Sequence, residues 1–289
     1  MQLPYGEIHH AVFQFLLTHK AIPESQLLHV LTRLYQTLFT AEHDAVNAES
    51  VYQDILDGVL ESLNVKLIAH KLAFAIRKRR SQFDGKFVVM LVNTQADEAT
   101  KMAIDHGEIE IAIFNAALDY IFNNEDGETS YAIGQTNLIN IMKDKSAKYT
   151  ATNAIELAAK FVQEGWLIET SKKKFTVTDL ALCELHDSLI EKYGLASVSV
   201  REEDDDQPFS ISICPACDQI VTMGRKCPGG VVPCHVKFHL NCARRYKIAR
   251  GSACPNSSCS GVITDEVEPT DRIGLPQEDF RFTLYYQTE

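Results

Sequence analysis

Seven of the chain's eight cysteines fall between Cys214 and Cys259, and nothing else in the 289 residues restricts the fold so tightly. The order is Cys214-x2-Cys217, Cys227, Cys234, His239-x2-Cys242 and Cys254-x4-Cys259, which makes eight donors in four pairs. Zinc takes four sulfur or imidazole ligands in a tetrahedron, so eight donors fill two closed sites and leave no open position for a catalytic water. A disulfide framework is the rival. The odd count and the two-residue gap between Cys214 and Cys217 argue against it, as does the lack of a basic, then apolar, secretory leader at Met1 to Glu7. His235 stands beside Cys234 and offers an imidazole at the same place, so that ligand has two candidates.

Two pairings are open. If consecutive pairs shared an ion, two small knuckles would follow one another; if alternate pairs did, the chain would cross itself and lock a single unit. The Phe238-His239-Leu240-Asn241-Cys242 segment resembles the central apolar-His-x2-Cys step of RING domains. That resemblance implies a cross-brace, with Cys214, Cys217, His239 and Cys242 on one zinc and Cys227, Cys234, Cys254 and Cys259 on the other. PHD fingers, which read histone tails, have the same ligand order. They carry an aromatic, usually Trp, two residues before the seventh ligand, where this chain has Ser252; its one Trp is Trp166.

Ordinary globular composition, 45% hydrophobic and 23% charged, surrounds this cluster, at a length that suits two or three domains. No apolar run approaches the roughly eighteen residues a membrane span needs, so the expectation is a soluble intracellular protein with no membrane contact. Zinc-held thiols fit a reducing compartment. A net charge of -11 excludes a surface that is basic all over, and any nucleic-acid contact must be local or come through a partner.

Helical periodicity fills the first half. Ile8, Val12, Phe15 and Leu16 form one stripe, and Leu27, Leu31, Leu34 and Leu38, after Pro23, form a second. Ser50-Val51-Tyr52-Gln53 reads as a capping box opening a third helix, with Ile55, Val59, Leu60 and Leu63 facing inward. Val65 to Ile68 and Phe87 to Val92 read as two strands around a basic stretch. Three helices and a hairpin make a winged helix. The architecture recurs: stripes at Ile109, Ile113, Ala116, Tyr120 and Ile121, around Leu138, Ile139 and Met142, and at Ile155, Ala158, Ala159 and Val162, the last ending at Gly165. A hairpin with Lys172-Lys173-Lys174 at its tip follows, then one closing helix through Leu182, Leu185 and Leu189. The expected domain limits are 1–95 and 96–196 for the winged helices, 197–210 for a linker around the acidic run Arg201 to Asp206, 211–264 for the zinc domain, and 265–289 for an acidic tail, disordered or partner-docking, with Phe280, Phe282, Tyr285 and Tyr286. At roughly 50 residues the zinc domain is too small to be held by apolar burial alone.

Together these features are similar to the non-SMC element one family, the RING-bearing subunits of the SMC five-six complex. The strings that carry the likeness are Val59-Leu60-Glu61-Ser62-Leu63, Lys160 to Glu169 with its Phe-Val-Gln-Glu-Gly-Trp centre, and the metal ligands. The resemblance implies an α+β chain of tandem winged helices and a two-zinc RING-like domain, in the nucleus at chromatin. It also implies a MAGE-fold partner, a kleisin partner, a role in DNA repair and ubiquitin ligase activity. RING domains hold a ubiquitin-conjugating enzyme so that its thioester meets a substrate lysine, a catalysis by proximity. The contact surface implied is Ile213, Pro215 and Ala216 in the first zinc loop and Pro255 in the second. Ala216 and Ser260 stand where active RINGs often carry a bulky aliphatic and, near the last ligand, a cation, so activity is expected to depend on the partner. The alternative is a non-catalytic subunit whose zinc domain stiffens the assembly.

Arg77-Lys78-Arg79-Arg80 is the candidate nucleic-acid contact, since cations on a wing can grip phosphates; the bland reading is a solvated wing tip. Arg244, Arg245, Lys247 and Arg250 read as a solubilising group in the zinc domain. Cys183, on a helical stripe, reads as a buried structural thiol. No phosphate-cradling glycine loop or nucleophile elbow is present in the sequence.

Overall fold

The computed structural model describes residues 5–38, 49–94, 106–123, 131–195, 211–229 and 234–280. Its backbone divides into two compact units, Met1–Ser81 with Lys86–Gln95, and Gln82–Gly85 with Ala96–Glu289.

In the first unit α1 (Glu7–His19), α2 (Glu24–Leu38) and α3 (Glu49–Ala69) pack on an antiparallel sheet of β1 (Ala21–Pro23), β2 (Phe74–Arg80) and β3 (Phe87–Asn93), with β3 in the middle. Val12, Leu16, Leu27, Leu31, Leu56 and Val89 form its fully buried centre. Two expectations fail here. Ser50 lies inside α3, and Gln53 donates to Glu24 Oε1 at 2.6 Å instead of reaching back to a cap. Val65–Ile68 is not a strand but the last turns of α3, because Leu63 and Leu67, four apart, are both buried in the core. That helix closes when Lys71, at φ 53, turns the chain, so that Lys71 N–H donates to Ile68 O and Leu72 N–H to Leu67 O, each at 3.0 Å. The second strand is therefore the basic segment itself, paired in full register from Phe74↔Asn93 to Arg80↔Phe87.

The second unit repeats the plan. α4 (Glu108–Asn123), α5 (Gln135–Lys145) and α6 (Ala151–Gln163) pack on β4 (Ile133–Gly134), β5 (Leu167–Glu169) and β6 (Lys174–Val177), with β6 central. The expected stripes hold in part: Ile113, Ile121, Leu138, Met142 and Ala158 are buried. Phe114, Ala117, Leu118 and Phe161 point inward as well, while Ile109, Tyr120 and Ile155 lie outside. Thr150 caps α6, accepting from Asn153 N–H, and Gly165 at φ 83 ends it with the same pair of bonds seen at Lys71: Gly165 N–H to Val162 O and Trp166 N–H to Phe161 O. The closing helix is two short ones, α7 (Asp179–Glu184) and α8 (His186–Tyr193), broken at Leu185; all three expected leucines are buried.

The zinc domain is no bead on a spacer. The expected linker 197–210 lies outside the described residues, but its flanks touch: Ile211 N–H donates to Gly194 O at 2.7 Å, and Leu195 and Ile211 bridge in parallel. Ile211 and Ile220 are buried in the core of the second winged helix. A small sheet has β7 (Gly224–Lys226) between β8 (Lys237–Phe238) and β9 (Arg272–Ile273), with α9 (Leu240–Arg250) beside it. Strand β9 belongs to the expected tail, and Leu275 and Phe280 are buried, so the chain to residue 280 is part of the fold; Phe282, Tyr285 and Tyr286 lie outside the described residues.

The turn Gln82–Gly85, between β2 and β3, folds with this second unit. Gln82 is buried; its Nε2 donates to Thr222 Oγ1 at 2.8 Å, and its Oε1 accepts from Thr222 and Met223 N–H at 3.2 and 3.0 Å. Phe83 packs on Phe280 with ring centres 4.9 Å apart.

Candidate metal centre

Two four-donor clusters form, each with its ligand atoms within 4.8 Å of one another: Cys214, Cys217, His239 and Cys242 in one, Cys227, Cys234, Cys254 and Cys259 in the other. The pairs alternate along the chain, so the ligands interleave. His235 stays outside, which leaves Cys234 as the donor.

Local structure sets each pair. Cys214 follows the bridge Ile213↔Ile220, and its carbonyl accepts from Cys217 and Asp218 N–H as the loop turns through Asp218 at φ 55. His239 precedes α9 and Cys242 sits in its first turn, which aims both into one site. Cys254 and Cys259 lie on a loop closed by the Ala253↔Val262 bridge and by Cys259 N–H donating to Asn256 O.

The spacing fits zinc. Bonds of about 2.3 Å to sulfur and about 2.0 Å to nitrogen give tetrahedral edges of about 3.7 Å between sulfurs and about 3.5 Å from sulfur to nitrogen. The observed edges are 3.8 Å for Cys227–Cys259, 3.6 Å for Cys234–Cys254 and 3.4 Å from Cys217 Sγ to His239 Nδ1. His239 Nε2–H donates to Ile220 O at 3.1 Å, which fixes the tautomer and leaves Nδ1 as the ligand nitrogen.

Electrostatics point the same way. Burial works against a charged imidazole at His239, but hydrogen bonds and charge from Cys214 and Cys242 outweigh it and push the ring up to about 10. Hydrogen bonds from Cys217 and Cys242 hold the Cys214 thiol far below the usual thiol range, and Cys214 and Cys242 hold Cys217 far above it. A metal entering this cluster must displace the protons that His239 and Cys217 hold. In the second cluster burial pushes Cys227 up to about 11, so a metal entering there must displace protons.

The sequence reading missed the supports. Gly261 N–H donates to Cys259 Sγ at 3.3 Å, and a Cβ on Gly261 would lie 2.6 Å from Cys227 Sγ, so only glycine lets the two ligand loops close. Ile220 and Gln82 are also part of this frame; a carbonyl acceptor and a residue some 140 positions away leave no local pattern.

The other expected site residues are scattered. Pro215, Ala216 and Pro255 are exposed on the zinc loops, whereas Ile213 is half-buried against the core of the second winged helix. Arg77, Lys78, Arg79 and Arg80 lie along β2, not at a wing tip. Lys78 is held between Glu24 and Asp57, the latter at 2.8 Å, and Arg80 sits 3.9 Å over the Phe87 ring. Among the described residues, the exposed cation of α3 is Lys66, and Lys160 of α6 is half-buried. The exposed residues of α6 include Thr152, Ile155, Glu156 and Ala159, and those of α3 begin with Asp54, Asp57 and Glu61. Cys183 is half-buried.

Two winged helices joined to an interleaved, two-site Cys/His domain place this chain among winged-helix proteins of RING-like type. It belongs to the Nse1 family. The family model described as "Nse1 non-SMC component of SMC5-6 complex" matches residues 9–185, and one described as "RING-like domain" matches residues 214–259. The chain is similar to the "Non-structural maintenance of chromosomes element 1 homolog" of Mus musculus, 27% identical over 241 residues, 83% of this chain and 78% of that one. For the protein of the same name from Xenopus tropicalis the figures are 28% over 254 residues, 87% and 81%. A chain of a solved "Nse1-Nse3-Nse4 complex" superposes with a TM-score of 0.67 over 92% of this chain and 100% of that one; at 23% identity it speaks for the fold.

Proposed function

We propose that this chain is the RING-type ubiquitin ligase subunit of an SMC five-six complex that acts in DNA repair in the nucleus, with a zinc ion in each Cys/His cluster. Its winged helices dock on a MAGE-fold subunit and, with it, on a kleisin. The relatives' names, and the Nse1-Nse3-Nse4 complex from which the superposing chain comes, support this assembly. The interleaved ligand set, within residues 214–259 that match the RING-like family model, carries the ligase reading, with the two ligand loops as its platform. Pro215, Ala216 and Pro255 would meet a ubiquitin-conjugating enzyme there, and the zinc ions would supply rigidity, not chemistry on the thioester.

Ubiquitin discharge from a panel of charged conjugating enzymes, with and without the MAGE-fold partner, tests the reading. The expected result is little discharge alone and a clear rise with partner bound. Background rates in both would remove the ligase and keep the assembly role. That second reading, a structural subunit, has one observation of its own: Ile213 is half-buried against the core of the second winged helix, which reduces what it presents to a partner enzyme. DNA contact by the assembled complex uses Arg77 and its neighbours on β2, and reversing their charge should flatten the salt dependence of DNA binding.

A further inference from the structure

The first winged helix carries an apolar patch that its own core does not use. Val65 is 60% exposed, Ile68 75%, Leu72 50% and Phe74 38%, all within ten residues where α3 runs into β2. The other side of the same helix is buried through Leu56, Val59, Leu60, Leu63 and Leu67, so the outward residues are surplus to packing. Four large apolar side chains so close together on the surface mark a contact site more often than a chance exposure. Tyr5 extends the patch, with the Lys66 ammonium 5.3 Å from its ring centre.

Its charge names the occupant. From Asn64 to Arg80 there is no acidic residue, while Lys66, His70 and Lys71 are exposed around the apolar side chains, in a chain whose net charge is -11. We propose that this face receives an amphipathic helix of a partner subunit, with apolar anchors flanked by carboxylates. An anionic bilayer or a nucleic-acid backbone fits less well. Either one, laid along α3, would meet the exposed Asp54, Asp57 and Glu61 upstream, whereas a single helix crossing the last turn touches only the cationic end. The inference rests on the docking part of the proposed function and gives that docking a location.

The test compares the full-length chain with Ile68→Ala/Leu72→Ala and Lys66→Glu/Lys71→Glu for affinity to the purified MAGE-fold subunit across a salt series. All four positions are exposed, and thermal melts check that the variants fold. The expected loss is about tenfold or more for the apolar pair, and about fivefold at low salt for the charge pair with a flatter salt slope. Wild-type affinity in both variants overturns this face and leaves the partnership standing. No binding by the wild-type chain overturns both. Sedimentation with anionic vesicles, or a wild-type dimer abolished by Ile68→Ala, would assign the patch to a membrane or a second copy and overturn the helix.

Discussion

The second winged helix and the zinc domain share one compact unit, yet different chemistry holds each. The winged helix is built on Phe114, Phe161, Trp166 and a shell of leucines and isoleucines. The zinc domain has Val221, Val236, Phe238, Ala243 and Ile263, interspersed with four buried ligand cysteines. The contrast teaches that the first closes on apolar burial, whereas ligand cysteines take four of the nine buried positions in the second's own cluster, so removing a bound metal should strike the second and spare the first.

The largest effect should come from stripping the metal. Chelation, or Cys242→Ser, removes on the order of 10 kcal/mol and should unfold residues 211–264, while Trp166, the one tryptophan, keeps its buried emission. A red shift of that emission at the same chelator concentration would break the comparison. Next comes Phe161→Ala, at a fully buried position, which should cost about 3–5 kcal/mol in denaturant unfolding with metal content unchanged. Parallel loss of metal would show that the two regions melt as one.

A smaller effect concerns acid. His106 is clasped between Glu110, at 2.8 Å from Nδ1, and Glu164, at 2.5 Å from Nε2. Burial raises the Glu110 carboxyl, but the His106 hydrogen bond and the Lys160 charge outweigh it and hold the group below its usual 4.5. A depressed carboxyl stabilises the fold above about pH 4.5 and loses that contribution as pH falls through its lowered value. Glu110→Gln should therefore flatten the acid limb of the winged-helix melt and leave the metal sites alone. Smallest is the helix-end pair: Lys71→Gly should stabilise the first module by about 0.5 kcal/mol, and Gly165→Ala should cost the second about 1 kcal/mol. Equal and null effects would mean the shared bond pattern, not the residue at positive φ, decides.

Much of this was legible in the sequence, and the failures share a cause. Ligand spacing is local, so the eight donors could be read directly; their assignment to two centres needed the RING likeness. Leu27, Leu31, Val59 and Leu63 follow helical periods and are buried as expected. Val65 and Ile68 misled because β-branched residues on an exposed helical face imitate a strand. β9 was hidden because Arg272-Ile273 is two residues long and pairs with a strand some fifty positions earlier. The supports of the metal frame are a carbonyl, a glycine and a distant glutamine, none of which leaves a spacing to find.

The Gln82 contacts bear on how the molecule can be cut. A recombinant piece that begins at Ala96 discards Gln82–Gly85, four residues of the very body it means to isolate. Thr222 and Met223 would then present bare amides where a primary carboxamide had filled the gap, and Phe280 would lose its aromatic neighbour. Behaviour seen in such a fragment, whether sluggish transfer or leaky metal, would belong to the incision and not to the intact protein.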